Sequence, residues 1–179
     1  MSVISWDERP NDLEQMIIEA GRIRRAGQFE QLWLLVNPVD MEILPEKFES
    51  YEKLAKTKKI TLIYSNPGIE LWLLLHVEQV TQQAMTRDEV IDRFRRHVPS
   101  FDYQSDYLFR GEGDRLYLKL FPNKVRAVMN AGELERNADH KVLQGELSGI
   151  ITGMPALIKG LTEACGRCYM TMSQFSDSH

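Results

Sequence analysis

Residues 60–76 read Ile60-Thr-Leu-Ile-Tyr-Ser-Asn-Pro-Gly-Ile-Glu-Leu-Trp-Leu-Leu-Leu-His76, and whether they run from strand into helix decides the fold. The first five are apolar or β-branched and stop at a turn signal, as a short buried strand does. Pro67 then presets the entry to a second apolar block, Leu71 to Leu75, read as a helix. That block carries a single carboxylate, Glu70, and closes on an imidazole, His76.

Upstream, Gln31-Leu-Trp-Leu-Leu-Val36 is too short and too continuously apolar for an amphipathic helix, and it stops at Asn37-Pro38; it reads as another buried strand. Between the two strands Phe48, Tyr51, Leu54 and Ala55 place one apolar face on a helix otherwise rich in Glu and Lys. Before them, Leu13, Met16, Ile17, Ala20 and Ile23 recur at helical spacing behind Asn11 or Asp12 and ahead of Gly27. Helix, strand, helix, strand with room for one crossover implies an α/β fold with a parallel pair joined right-handedly. Both strand ends then open on one sheet edge. Asn37-Pro38-Val39-Asp40 is expected beside Ser65-Asn66-Pro67, at the edge where ligands of open α/β sheets bind.

Downstream, Thr86-Arg-Asp-Glu89 is a capping-box pattern, and Val90, Ile91 and Phe94 give its helix an apolar face that closes before Pro99. From Phe101 to Lys124 the chain predicts a short helix near Asp106, a loop at Gly111-Glu-Gly113, and an extended or helical Leu116 to Phe121. Helices are expected at about 124–135 and 147–163, the second weakened by Gly149, Gly153 and Pro155. A length of 179 residues suits one domain. It is placed at 1–164, with a tail at 165–179 expected to fray.

Lys and Arg number 22 against 26 Asp and Glu, a net charge of −4, so there is no overall basic field and nucleic-acid contact would need a local patch. The longest apolar run falls far short of the roughly 20 residues of a membrane span. Met1 to Ser5 lacks the basic and hydrophobic regions of a signal peptide. A cytoplasmic protein without a membrane partner is expected. Cys165 and Cys168 form an isolated Cys-Gly-Arg-Cys without the further ligands that zinc needs.

Ser65 or Asn66 is a candidate cap for the 71–75 helix, and the free N–H groups of its first turn make residues 65–68 a candidate anion seat. Glu70 is favoured there by the helix dipole and is close enough to the sheet edge to bind a divalent cation, although acidic residues are common at helix starts for structural reasons alone. His76 lies about 120° around the helix from Glu70, so one ion is not held by both. It is either a hydrogen-bonded core residue or a general acid–base. Across the edge, Asn37 and Asp40 are followed by Glu42 and Glu46; a two-metal centre wants several converging carboxylates, and Asp40 is the one sure candidate. The basic runs Arg22, Arg24, Arg25 and Arg93, Arg95, Arg96, His97 either neutralise phosphate or form solvated faces and helix ends. The aromatics Tyr103, Tyr107, Phe109, Tyr117 and Phe121 serve a core or an assembly interface.

The run from Ile63 to His76 resembles the signature of the RloB-like family, in which a strand ends in Ser-Asn-Pro and enters a helix through Glu-Leu-Trp and a later His. Ile23-Arg-Arg-Ala-Gly-Gln-Phe-Glu-Gln-Leu-Trp33 and Met85-Thr-Arg-Asp-Glu resemble the family's flanking segments, so the likeness spans roughly residues 13–107. The family is similar to TOPRIM-type proteins. The resemblance implies a TOPRIM/Rossmann-like fold with a small, largely parallel sheet flanked by helices and a helical C-terminal part. It also implies Mg²⁺ held by a Glu after the first strand and an Asp-x-Asp after a later one, for phosphodiester cleavage or joining. RloB-like relatives are associated with prokaryotic restriction and abortive-infection loci, commonly beside an ATPase. With the resemblance placing Ser65 to His76 at the edge of the site, the residues read above become Glu70, Asp40 and His76 as candidate catalytic residues, Glu70, Asp40 and Asn37 as metal ligands, and Ser65 and Asn66 as binding residues.

Two departures shape the expectation. Asn37-Pro38-Val39-Asp40 stands where Asp-x-Asp is expected, an amide replacing the first acid and only a displaced Asp40 remaining. The family's first strand and its Glu-Gly-x-x-Thr-Glu loop should precede the Leu13 helix, where Met1 to Pro10 offers only Asp7 and Glu8. Such a chain is expected to be a divergent or N-terminally shortened member, catalytically weak and acting as a binding or regulatory partner. An active Mg²⁺-dependent nuclease on RNA or DNA is the alternative, and an assembly subunit of a nucleoprotein complex the third.

Overall fold

The computed structural model describes residues 12–41, 43, 45–82, 84–102, 112–137 and 149–165. Helix α1 (Leu13–Ala26) opens at Asp12, whose carboxylate accepts the Glu14 N–H at 3.0 Å, and ends on Arg24 and Arg25. Both ends suit the helix dipole. Its face of Leu13, Met16, Ile17 and Ala20 packs with α2 (Pro45–Thr57), which contributes Phe48 and Ala55.

Strands β1 (Trp33–Leu35) and β2 (Thr61–Ile63) run parallel, with Leu34 opposite Leu62. The mixed α/β fold with a small parallel sheet flanked by helices is thus as the sequence implies. The strands are shorter than the apolar runs, and they are not buried throughout: Leu34 and Val36 face the α1–α2 core, while Leu35 is 52% exposed. On that second side α7 (Met154–Cys165) covers Trp33, so closely that a Cβ on Gly160 would lie 2.8 Å from its ring. It leaves Leu35 open.

Beyond β2 the chain forms β3 (Ser65–Asn66), which pairs antiparallel with β4 (Ile151–Thr152), Ser65 opposite Thr152. This strand corrects the expected helix at 147–163. Gly149 at φ 100° takes a backbone shape that a right-handed helix excludes. Pro155 is then the second residue of α7, where a missing N–H is no loss.

Helix α3 (Glu70–Leu75) is six residues long, with Leu71, Leu74 and Leu75 fully buried. Against it lie α4 (Arg87–His97), through Val90 and Phe94, and α6 (Lys124–Asn137), through Ala127, Ala131 and Leu134. The capping box is present as read: Thr86 Oγ1 accepts the Glu89 N–H and the Glu89 carboxylate accepts the Thr86 N–H at 2.7 Å. Helix α5 (Glu112–Leu120) takes in Glu112 and Gly113, which had been expected in a loop, and a 3₁₀ turn at Phe121–Asn123 joins it to α6.

Two apolar clusters result. One gathers α1, β1 and α2; the other gathers α3, α4, α5, α6 and Ile150 around the short helix. The expected helix near Asp106, the aromatics Tyr103, Tyr107 and Phe109, the acids Asp7, Glu8 and Glu42, Cys168 and residues 166–179 of the expected tail lie outside the described residues. Among the described residues no helix is long and apolar enough to cross a membrane.

The turn after α3 serves its Leu73 and Leu74 carbonyls, the His76 N–H donating to Leu73 O and the Val77 and Glu78 N–H groups to Leu74 O. Buried Asn130 of α6 serves the last one, its Nδ2 donating to Leu75 O at 2.8 Å and, beyond the helix, to Glu78 O at 3.2 Å. Asn130→Ala is expected to destabilise by about 1–3 kcal/mol, read as a lower urea midpoint with an unchanged m-value.

Candidate functional site

The two loops that the parallel crossover places on one edge do meet: the 3₁₀ turn Pro38–Met41 after β1 packs against β3. Asn37 precedes that turn, half-buried, and Asp40 lies within it. The position of the Asp40 side chain lies outside the described structure.

Ser65 and Asn66 do not cap α3. Ser65 is buried and its Oγ shares a 2.8 Å hydrogen bond with Thr152 Oγ1, while Asn66 Nδ2 donates to Gly149 O at 2.5 Å. The N-cap residue of α3 is Ile69, with no side-chain cap. Both polar side chains are used to hold β4, a strand that the sequence reading had missed.

Glu70 begins α3 and is only 4% exposed. Its carboxylate turns back over the loop towards α4, where Arg87 places two donors on Oε1, Nη2 at 2.6 Å and Nε at 3.1 Å. The other oxygen, Oε2, is buried without a hydrogen-bond partner. Gly68 makes the fold-back possible, because a Cβ there would lie 2.5 Å from Oε2 and 3.3 Å from Arg87 Nε. Arg87 was not singled out from the sequence, where it reads as an interior residue of the capping box. The signal that would have found it is the capping box itself, which fixes α4 in register beside a buried acid.

At the other end of α3, roughly 9 Å along its axis, His76 is 7% exposed. Its Nδ1 bonds Trp72 O at 2.8 Å, and its ring meets the Trp72 indole edge-on at 4.8 Å. Burial lowers its pKa below the ordinary 6.5, against the opposing effect of the Trp72 carbonyl. The neutral ring therefore donates from Nδ1 and carries its lone pair on Nε2. Glu70 and His76 are not brought together.

Much of the basic run on α4 is used internally. Arg93 pairs with Glu78 and donates to Gln82 at 2.7 Å, His97 Nε2 lies 2.9 Å from Glu78, and Arg95 donates to Phe101 O at 3.1 Å. Partial burial acts to raise the Glu78 carboxyl, but Arg93 and His97 outweigh it and its pKa is lowered. A phosphate-neutralising role is therefore not the one these contacts describe.

Mg²⁺ at a two-metal centre needs several oxygen ligands with net negative charge at one point. Among the described residues no three His, Cys, Asp or Glu side chains gather in that way. The Glu70 carboxylate faces a guanidinium, whose charge opposes a cation at the same group. The described donor set does not fit a two-metal centre.

Removing one partner of a buried pair leaves the other charge uncompensated. Arg87→Ala is expected to cost about 3 kcal/mol, and a Glu70→Leu, Arg87→Met double variant to recover most of it, measured by urea unfolding. For His76, the unfolded imidazole takes up a proton first as pH falls. Its contribution is complete above about pH 6.5 and declines below that value. The thermal midpoint should fall more steeply from neutral to mildly acid pH in the parent than in His76→Gln.

No curated protein and no solved structure matches the chain. The sequence model of the RloB-like protein family matches residues 4–161, well beyond the 13–107 on which the resemblance was read. It spans both apolar clusters, β4 and the greater part of α7. With a match over most of its length, the chain belongs to the RloB-like protein family.

Proposed function

We propose that this chain is a catalytically weak RloB-like protein that serves a prokaryotic restriction or abortive-infection system as a binding or regulatory subunit. In this reading it works in the cytoplasm beside an ATPase or another defence protein. The observation that supports it is the buried pair of Glu70 and Arg87. Glu70, the candidate carboxylate on this sheet edge, is held by an arginine in the packed interior, and in the loop after β1 Asn37 stands in place of the first expected acid.

A second reading, an active Mg²⁺-dependent nuclease on RNA or DNA, is favoured by one atom. Glu70 Oε2 is buried and unsatisfied, and a donor or cation from a bound partner would satisfy it. In that reading Asp40 is the second acid, brought to the same sheet edge by the crossover. The third reading, an assembly subunit, shares its chemistry with the first.

The discriminating experiment incubates the purified protein with Mg²⁺ or Mn²⁺ and with single-stranded, duplex and structured RNA and DNA. The expected result is no cleavage above that of the Asp40→Ala variant. Robust cleavage lost in Asp40→Ala would overturn the weak-subunit reading in favour of the nuclease.

A further inference from the structure

Strand β1 closes one side of the parallel sheet with half of its backbone unanswered. Its one neighbour in that sheet is β2; Leu32 O accepts the Thr61 N–H at 3.0 Å, and the Val36 N–H donates to Ile63 O at 2.9 Å. Bonding groups alternate in direction along a strand, so Leu32, Leu34 and Val36 turn theirs to β2, while Trp33 and Leu35 turn theirs outward. Each of those two residues offers one N–H and one C=O, and among the described residues no backbone group pairs with them. The far edge of β2 is different, since the Ile60 N–H donates to Ala55 O and Tyr64 O accepts the Gly153 N–H at 2.7 Å. Natural edge strands are blunted by charge, proline or a bulge. Here no charged residue and no proline lies between Gln31 and Asn37, and the register with β2 is regular. Leu35 is 52% exposed on this edge, and Phe29 and Val39, also exposed, flank it.

A row of outward N–H and C=O groups is satisfied by an extended backbone laid along it. We infer that β1 pairs antiparallel with β1 of a second copy of this chain, about a two-fold axis at Leu34, joining the two small sheets into one. A second copy matches the edge group for group. In that register Trp33 lies opposite Leu35 of the second copy and Leu35 opposite its Trp33, both as hydrogen-bonded pairs, so every outward N–H meets an outward C=O. The exposed Leu35 side chain then stands beside a tryptophan on the face that α7 covers, an aromatic and aliphatic cross-strand pair. Phe29 and Val39 lie five residues to either side of Leu34, so the same axis brings one towards the other. The acids nearest the strand, Glu30 and Asp40, stand four residues before and six after Leu34, and the axis sets neither directly opposite an acid. This pairing goes beyond the proposed function and holds for the subunit and the nuclease readings alike.

Sedimentation equilibrium of the full chain over about 1–200 µM should show a mass rising towards twice that of the monomer. Leu35→Lys, at a position open to solvent in the single chain, should raise the dimer dissociation constant at least about tenfold, because the axis repeats the loss on both copies. Leu35→Pro removes an outward N–H and no bond to β2, and should do the same. Met129→Glu, on the exposed side of α6, should leave the constant unchanged. Circular dichroism checks the fold of each variant, and if Leu35→Pro loses it, Leu35→Lys decides. Amide exchange followed by NMR reads the register: the Trp33 and Leu35 N–H groups should gain protection as concentration rises, whereas Leu34, turned to β2, is protected throughout. A chain that stays monomeric to about 200 µM overturns the inference, as does a dimer indifferent to Leu35→Lys or abolished by Met129→Glu. So does protection of the Trp33 and Leu35 amides that is independent of concentration, which would mean that the chain covers this edge itself.

Discussion

A helix of six residues has no stability of its own, since isolated helices shorter than about 12–15 residues are marginal even with favourable sequences. Helix α3 is that short, and it is buried. Almost every residue supplies an orphaned backbone group to one end or the other, and those groups lie away from water. The adjoining loops answer most of this, Gly68 O and Ile69 O accepting the Leu71 and Trp72 N–H groups and the turn after Leu75 donating to Leu73 O and Leu74 O. Asn130 of α6 adds the donor for Leu75 O, and Arg87 of α4 anchors the first side chain of the helix. The arrangement of α4 and α6 about α3 follows from those two side-chain bonds as well as from the leucines between them.

Magnitude decides how the Glu70–Arg87 pair should be understood. Two charges withdrawn from water lose several kcal/mol each in hydration, and their mutual attraction roughly returns it when the geometry is good. Arg87 keeps about a quarter of its side chain in solvent, which lightens its own desolvation. The pair therefore adds little net stability but fixes the register of α4 on α3, because no neighbouring register puts a cation on that oxygen. Such a carboxylate is held in position through Oε1, and a metal arriving at its other oxygen would meet the charge of an arginine that the packing holds in place.

What could be read in advance, and what could not, follows the range of the interactions. The capping box, the parallel crossover and the apolar face of α1 are local or periodic, and each was legible in the residues. The partner of Glu70 lies seventeen residues away in sequence and carries no periodic mark. The two-residue strand at Ile151 was hidden for a different reason: it exists only because Ser65 and Asn66 hold it, so its own sequence shows a weak helix pattern instead. Leu35 misled through the assumption that an apolar strand is covered on both faces, whereas α7 covers only its neighbour Trp33.

The division into two apolar clusters has a consequence for how such a protein can vary. The acidic loop at Asn37 to Asp40 leaves a strand rooted in the α1–α2 cluster, while Glu70, Arg87 and His76 belong to elements packed around α3. Substitutions in regions that share few contacts act nearly independently. A substitution in the loop at Asn37 to Asp40 can therefore change its charge without disturbing the packing around α3, and one in the Glu70–Arg87 pair can leave the α1–α2 cluster as it is, so the two halves of this sheet edge are free to vary separately while the molecule still folds.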